Sequence, residues 1–510
     1  MKKNNILKIF MALLLFTGCT SDFDTLNTDP TKVTELDSKY LFTTVEKRGA
    51  LSNWGIFQLM QSLYVNQYAQ YWANSTSYFG SDRYTMNNGW IEGVWNEFYS
   101  EHFRVLNQII NDPDENVNRI QMARIYKAFM FQRWTDNWGA IPYTEAASGI
   151  SKPQYDTQET VYKDLIAELE DAAAKLNPEK EAGGFGEADL MYNGSAEKWK
   201  RFANSLLLRI AIHISDVEPE LAKTTATKAL AGGVMQSNAD AALLPSDPTN
   251  REATNAIHEI AYWNEFRMSK TMEVYLNGDK LGAVDPRLKI YWAPVAKRND
   301  LNNPYAVANF KGIQNGLAVE DVPNQNVGAY SNVGPFASKY SYDATKQEYK
   351  SLDAGKALPM FVFSYAETCF LKAEAALRWN IGGDVKANYD EGIRASMQQW
   401  PTERTGTYAG PVPTDQEIND YIAAVGGTID QKKISTQKWL ALFPDGFEGW
   451  TEFRRTGYPD FIPVPAPDPS AGLDGEFISR LAYPEIEKNL NSNSFNSAAK
   501  LKDHMWWQTK

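Results

Sequence analysis

Glu367 and Glu374 stand seven positions apart in a stretch with helical apolar spacing, so both carboxylates fall on one helix face. Paired carboxylates are the apparatus of general acid/base work and of glycoside cleavage. At a rise of about 1.5 Å per residue, however, they lie roughly 10.5 Å apart, beyond the roughly 5–9.5 Å of glycosidase pairs. The spacing assigns them to structure. Only His102, His213, His258 and His504 are present, and no two stand at metal-ligand spacing, which argues against a histidine-based zinc site. Neither a G-x-S-x-G elbow nor a phosphate-cradling glycine loop occurs. Asp112, Asp114 and Asn116 alternate like the start of a calcium loop, but Val117 replaces the required glycine. No catalytic residue, metal or cofactor is expected.

The two cysteines divide by context. Lys2, Lys3 and Lys8 precede an apolar run from Ile9 to Phe16 and the small residue Gly18, the pattern of a secretory signal over residues 1–18. The run is too short for a membrane span, which needs roughly 20 apolar residues. Leu15-Phe16-Thr17-Gly18-Cys19 resembles a bacterial lipobox, with Phe16 where an aliphatic residue is usual. An acylated Cys19 would anchor the chain by burying lipid methylenes, each contributing about 0.8 kcal/mol. Cys369 would then be the sole thiol, so no intramolecular disulfide is expected. Asp22 and Asp24 just after Cys19 resemble a surface-export signal, and residues 19–37 read as a tether.

Net charge is −12, and losing residues 1–18, with three lysines and no acid, takes it to −15. That balance disfavours nucleic acid and anionic lipid as partners. The 492 residues left of 510 suffice for a large core or two to three domains.

Aromatics are the compositional outlier: 15 Trp, 26 Tyr and 24 Phe make 13% of the chain, many in Asn- and Gly-rich surroundings. Trp and Tyr offer an apolar face with a polar edge, suited to sugars or partner surfaces. A helical core built on large side chains is the alternative. The candidate platform is Trp72, Tyr78, Phe79, Tyr84 and Trp90 from a loop over 74–90 and its flank, with Trp292, Tyr305 and Tyr330 from a second loop over 281–358. Asn74, Asp82, Arg83 and Asn88 are candidate partners for hydroxyls. Loops this long are usually functional or disordered, and their aromatic content argues against disorder. On this reading, alanine at Trp72 or Trp90 weakens oligosaccharide binding without lowering the melting temperature.

The elements that must hold these loops are helices, with few strand signals, so the fold class is all-α. Ile91, Val94, Trp95, Phe98, Val105 and Ile109 form one stripe over 88–111, and Ile120 to Trp134 another over 117–134. Asp156 with Glu159 is read as the cap of a helix over 156–176, and Ser195 starts the next. Further helices fit 218–231, 253–277, 364–379, 386–399, 414–425 and 432–442. Thr414 with Glu417 is a capping box, and Gly426-Gly427 its stop. In 446–457, Glu448 and Glu452 precede Arg454 and Arg455, an order that suits the helix dipole. The twin arginines are expected to tie this helix to neighbouring carbonyls. A third loop covers 456–475.

Four stretches carry a family resemblance: Asp22 to Thr31, Ser364 to Ala375, Gly446 to Gly457 and Tyr483 to Asn489. In this order they resemble the SusD/RagB family of lipid-anchored, nutrient-binding outer-membrane proteins. Gln437 to Phe443 and Trp450 depart from the arginine-containing segment common there, which marks a divergent branch. The resemblance implies one domain over 38–510, with tetratricopeptide-like helix pairs on one side and a loop-rich ligand side opposite. It also implies a lid on a SusC-like TonB-dependent transporter barrel in the outer membrane, with oligosaccharide as cargo and peptide as the alternative. A surface endoglycanase and a pure assembly scaffold are the rival readings. The helix periodicity itself shows no 34-residue repeat.

Overall fold

The computed structural model describes residues 37–50, 52–296, 303–324, 326–337, 339–343, 348–352, 358–400, 408, 410–492 and 499–510. The expected leader, Cys19 and the tether up to residue 36 lie outside them. The frame is helical: α1 (Ser38–Gly49), α2 (Val117–Trp138), α3 (Gln158–Lys175), α4 (Ala196–His213), α5 (Pro219–Gly232), α6 (Tyr365–Trp379), α7 (Val385–Gln398), α8 (Asp415–Val425), α9 (Gln431–Leu442) and α10 (Gly446–Thr456). Consecutive helices pack as pairs, α2 on α3, α4 on α5 and α6 on α7, and α9 rests on both members of the last pair. Among the described residues no helix is long and apolar enough to cross a membrane.

Helix starts follow local hydrogen-bond chemistry. An Asx or hydroxyl side chain accepts one of the N–H groups that the first turn leaves unpaired. Ser195 caps α4 as expected, and Thr414 with Glu417 closes a capping box on α8. For α3 the cap is Thr157, not Asp156: its hydroxyl accepts from the Thr160 N–H at 3.1 Å. Asp156 is held one residue earlier in a short ladder, β2 (Ile141–Pro142) with β3 (Tyr155–Asp156), and its carboxylate accepts from the Thr144 N–H at 2.7 Å.

The helix expected over 253–277 is broken. It runs Ala256–Tyr262, stops where Asn264 turns left-handed (φ 60°), and resumes as Lys270–Leu276 under a Ser269 cap. Between the two pieces, β5 (Phe266–Met268) pairs antiparallel with β1 (Trp72–Asn74). Two further antiparallel pairs, β4 (Ala242–Leu244) with β8 (Met360–Phe363) and β6 (Lys339–Asp343) with β7 (Glu348–Leu352), complete the ladders among the described residues.

The two carboxylates of α6 serve structure, as their spacing implied. Arg209 of α4 donates Nε and Nη2 to Glu367 at 2.6 Å each, and Arg455 of α10 donates Nη1 and Nη2 to Glu374 at 2.7 Å each. Lys438 of α9 bridges Glu448 (3.1 Å) and Glu452 (3.0 Å). Of the twin arginines, Arg454 behaves as expected, donating to the carbonyls of Asp136 (2.7 Å) and Ser479 (2.8 Å), while Arg455 takes carboxylates instead. Glycines allow this core to close. A Cβ at Gly449 would sit 2.4 Å from the Tyr71 hydroxyl, and one at Gly446 2.5 Å from the Asn66 backbone nitrogen.

Candidate functional site

The β1–β5 ladder positions the loop that follows β1. Its residues Trp72 and Asn74 lie opposite Met268 and Phe266, and both strands are buried. Beyond the strand a buried polar set fixes the turn. Asn74 donates from its backbone and its amide to the two oxygens of Asp82 (3.1 and 3.0 Å), Gln67 donates to Asn74 Oδ1 at 2.6 Å, and Ser81 donates to Gln67 at 3.1 Å. Burial pushes the Asp82 carboxyl above its ordinary value, and hydrogen bonds from the backbones of Gly316 and Asn74 work against that shift. A turn so tied keeps a fixed shape.

Five of the residues expected at a platform therefore belong to the interior. Trp72 is fully buried, stacked on Phe266 with centroids 4.1 Å apart, and its indole N–H donates to the Ser62 carbonyl at 2.9 Å. Trp292 is fully buried against Phe443 (5.2 Å), Tyr84 packs on Tyr68 (5.7 Å), and Asn74 and Asp82 form the buried set just described. The rings of Trp72 and Trp292 are covered from segments distant in sequence. Asn88 is committed to structure as well: its Oδ1 accepts from the Glu485 N–H at 2.7 Å. The Arg83 carbonyl accepts from the Asp468 N–H at 2.7 Å, and its side chain is half-buried.

The remaining rings form a surface. Tyr78 is 68% exposed and leans on half-buried Phe79 (4.5 Å), which meets Trp90 edge-on at 5.7 Å. Tyr330 is half-buried, with the Lys311 ammonium 5.1 Å from its ring centroid. Tyr305 is 42% exposed and lies elsewhere, at a cavity described below.

The structure adds residues that the sequence did not single out. Tyr262 is 70% exposed, and beside it Trp263 meets Trp54 edge-on at 5.6 Å, with the Arg251 guanidinium 4.3 Å over the Trp54 ring. Hydrogen bonds join this turn to the first loop: the Ser75 N–H donates to the Glu265 carbonyl at 3.0 Å and the Ser75 hydroxyl to the Asn264 carbonyl at 2.5 Å. Ser77 N–H donates to Asn324 Oδ1 at 2.7 Å. Buried Arg267 reaches both Asn264 Oδ1 (2.7 Å) and the Val327 carbonyl (3.2 Å). These hydrogen bonds join the three loops that carry Tyr78, Tyr262 with Trp263, and Tyr330. Such half-wet rings suit flat ligands with an apolar face and a hydroxyl rim. Among the described residues no three metal-ligating side chains cluster.

Residues 30–484 match the family described as "Starch-binding associating with outer membrane". The chain belongs to the SusD-like family. Its solved relatives share the whole architecture. It is similar to a chitin-binding SusD homologue from Flavobacterium johnsoniae, at 27% identity and a TM-score of 0.74, over 92% of this chain and 98% of that one. A chitin-binding protein matches at 26% identity and a TM-score of 0.75, over 92% and 100%. A SusD homologue from Bacteroides ovatus matches at 25% identity and a TM-score of 0.74, over 93% and 100%. Comparison with curated proteins finds no match. The SusD-like family is one of glycan-binding proteins associated with the outer membrane, and the helix pairs and loop side found here are its fold.

Proposed function

We propose that this SusD-like protein captures a neutral oligosaccharide on the surface carrying Tyr78, Tyr262, Trp263 and Tyr330, and delivers it as a lid to a TonB-dependent barrel in the outer membrane. The observation that carries this reading is the pairing of strongly exposed tyrosines with loops locked by buried hydrogen bonds. Rings held in place before the ligand arrives lose little entropy on binding. The chitin-binding relatives support a sugar as cargo, and the acidic net charge of −12 favours one without acid groups. Glu367 and Glu374, whose shared helix face raised the hydrolase reading, are held by Arg209 and Arg455 in the core, which supports a structural role for this pair. Acylation of Cys19 would hold the protein on the outer membrane, facing the cell exterior. A glycan array probed with the full chain tests the cargo. Signal on neutral glycans that Tyr78→Ala weakens is the expected result, and silence on every glycan contradicts it.

A further inference from the structure

We infer that a cavity between α8 and the turn at residues 283–289 is a second ligand site, for a short saccharide that carries no acid group and preferably bears a protonated amine. It has a volume of about 580 Å³, within the roughly 300–1,000 Å³ of small-molecule sites. Val284, Pro286 and Lys289 line one wall and Glu417 and Asp420 the other, with Tyr305 between. None of these residues belongs to the aromatic surface, so this site stands independently of the function proposed above.

The walls are built. Asp285 and Arg287 are fully buried and paired through Nη2–Oδ2 at 2.6 Å and Nε–Oδ1 at 3.0 Å. The same guanidinium donates to Gln437 Oε1 at 2.5 Å and to the Ser396 hydroxyl at 3.1 Å, and Gln437 donates to the Tyr421 hydroxyl at 2.8 Å. Tyr421 itself lines the opposite wall. A buried ion pair is tolerated only when its remaining donors are satisfied, and here their satisfaction ties the turn to α7, α8 and α9. The cavity is therefore held open by its own scaffold, the condition for a preorganised site.

Its chemistry is specific. Val284 (50% exposed) and Tyr305 (42%) are among the few large apolar side chains left to solvent, and both line this one cavity. Lys289 and Glu417 neutralise each other at 2.5 Å. Asp420 accepts from the Gln416 amide at 2.7 Å and has no ion-pair partner among the described residues. The lining thus sets an aromatic ring beside a carboxylate that has no ion-pair partner among the described residues. A carboxylate accepts hydroxyls, attracts an ammonium and repels another acid, and an aromatic ring adds attraction for a cation.

Calorimetric titration of the full chain with glucosamine, glucose and glucuronic acid tests this. Glucosamine is expected to bind more tightly than glucose, and glucuronic acid not at all. Asp420→Asn should weaken glucosamine at least fivefold and bring it level with glucose. Tyr305→Ala should weaken both sugars. No heat with any of the three sugars, binding of glucuronic acid as tight as that of glucosamine, or affinities unmoved in both cavity variants would overturn the assignment. Melting curves of each variant confirm that the fold is kept.

Discussion

Arg455 holds Glu374 with two hydrogen bonds of 2.7 Å, one to each carboxylate oxygen, in a place where neither side chain is more than 1% exposed. Arg378 adds a third at 2.8 Å, and Glu452 shares the same guanidinium at 2.9 Å. This joins α6 to α10, the two helices that carry most of the family resemblance. Removing Glu374 strips two hydrogen bonds from a buried guanidinium and leaves it to Glu452 alone, at a cost of up to about 3–5 kcal/mol. Glu374→Ala should therefore lower the stability read from urea unfolding by that amount, while glycan binding by the molecules still folded stays intact. A change under about 1 kcal/mol would remove the pair from the account of the fold.

The pH response follows from two carboxyls with opposite shifts. Burial works to raise Glu374, but attraction from Arg455 and Arg378 outweighs it and leaves the group far below its ordinary value of 4.5. Its contribution to stability is present above pH 4.5 and is lost as pH falls below it. Glu46 is the reverse: burial first, then the neighbouring charge of Asp189, lifts it well above 4.5. The folded state then binds its proton more tightly than the unfolded chain does, so this group costs stability as pH rises from 4.5. Glu46→Gln keeps an acceptor for the Leu190 N–H and should gain stability at pH 8 and none at pH 4.5. Unfolding of both proteins at the two pH values decides it, and an equal effect at each would contradict the assignment.

Trp72→Ala should behave as a core lesion. The ring is stacked on Phe266 and its N–H is spent on the Ser62 carbonyl, so truncation should cost about 3–5 kcal/mol of stability. A variant with an unchanged melting temperature and weakened sugar binding would restore Trp72 to the binding surface.

Gly449→Ala tests the close approach of α10 to Tyr71, the residue just before β1. The added methyl would meet the Tyr71 hydroxyl, which is itself bonded to the Trp439 carbonyl at 2.6 Å, and overpacking of this kind costs about 1–3 kcal/mol. A fully stable variant would show that the hydroxyl moves aside freely.

Sequence periodicity revealed most of the frame because stripe and cap agree locally. Ser195 before the Trp199–Phe202–Leu206 stripe and Thr414 before Ile418 each specify a helix without reference to the rest of the chain. The aromatic surface was harder to see. Trp72 stands between Gln70 and Asn74, and Trp292 in a stretch without sustained period, yet Phe266 and Phe443 from far along the chain pack on them in the interior. Tyr262 and Trp263 were hidden for the opposite reason. They end a helical stripe, and only the left-handed Asn264 and the pairing of β5 with β1 show that the helix stops there and leaves both rings at the surface. Tyr78 was legible because its loop has no apolar period, and that loop is also where the structure leaves it exposed.

The most direct measurement is calorimetric titration of linear neutral oligosaccharides into the full chain and its Tyr78→Ala/Tyr262→Ala double variant. Each exposed ring is expected to contribute about 0.5–1.5 kcal/mol, so the double variant should lose about fivefold or more in affinity. Its melting temperature should be unchanged, as for other surface substitutions. Equal affinity of the two proteins for every sugar bound would contradict capture at this surface.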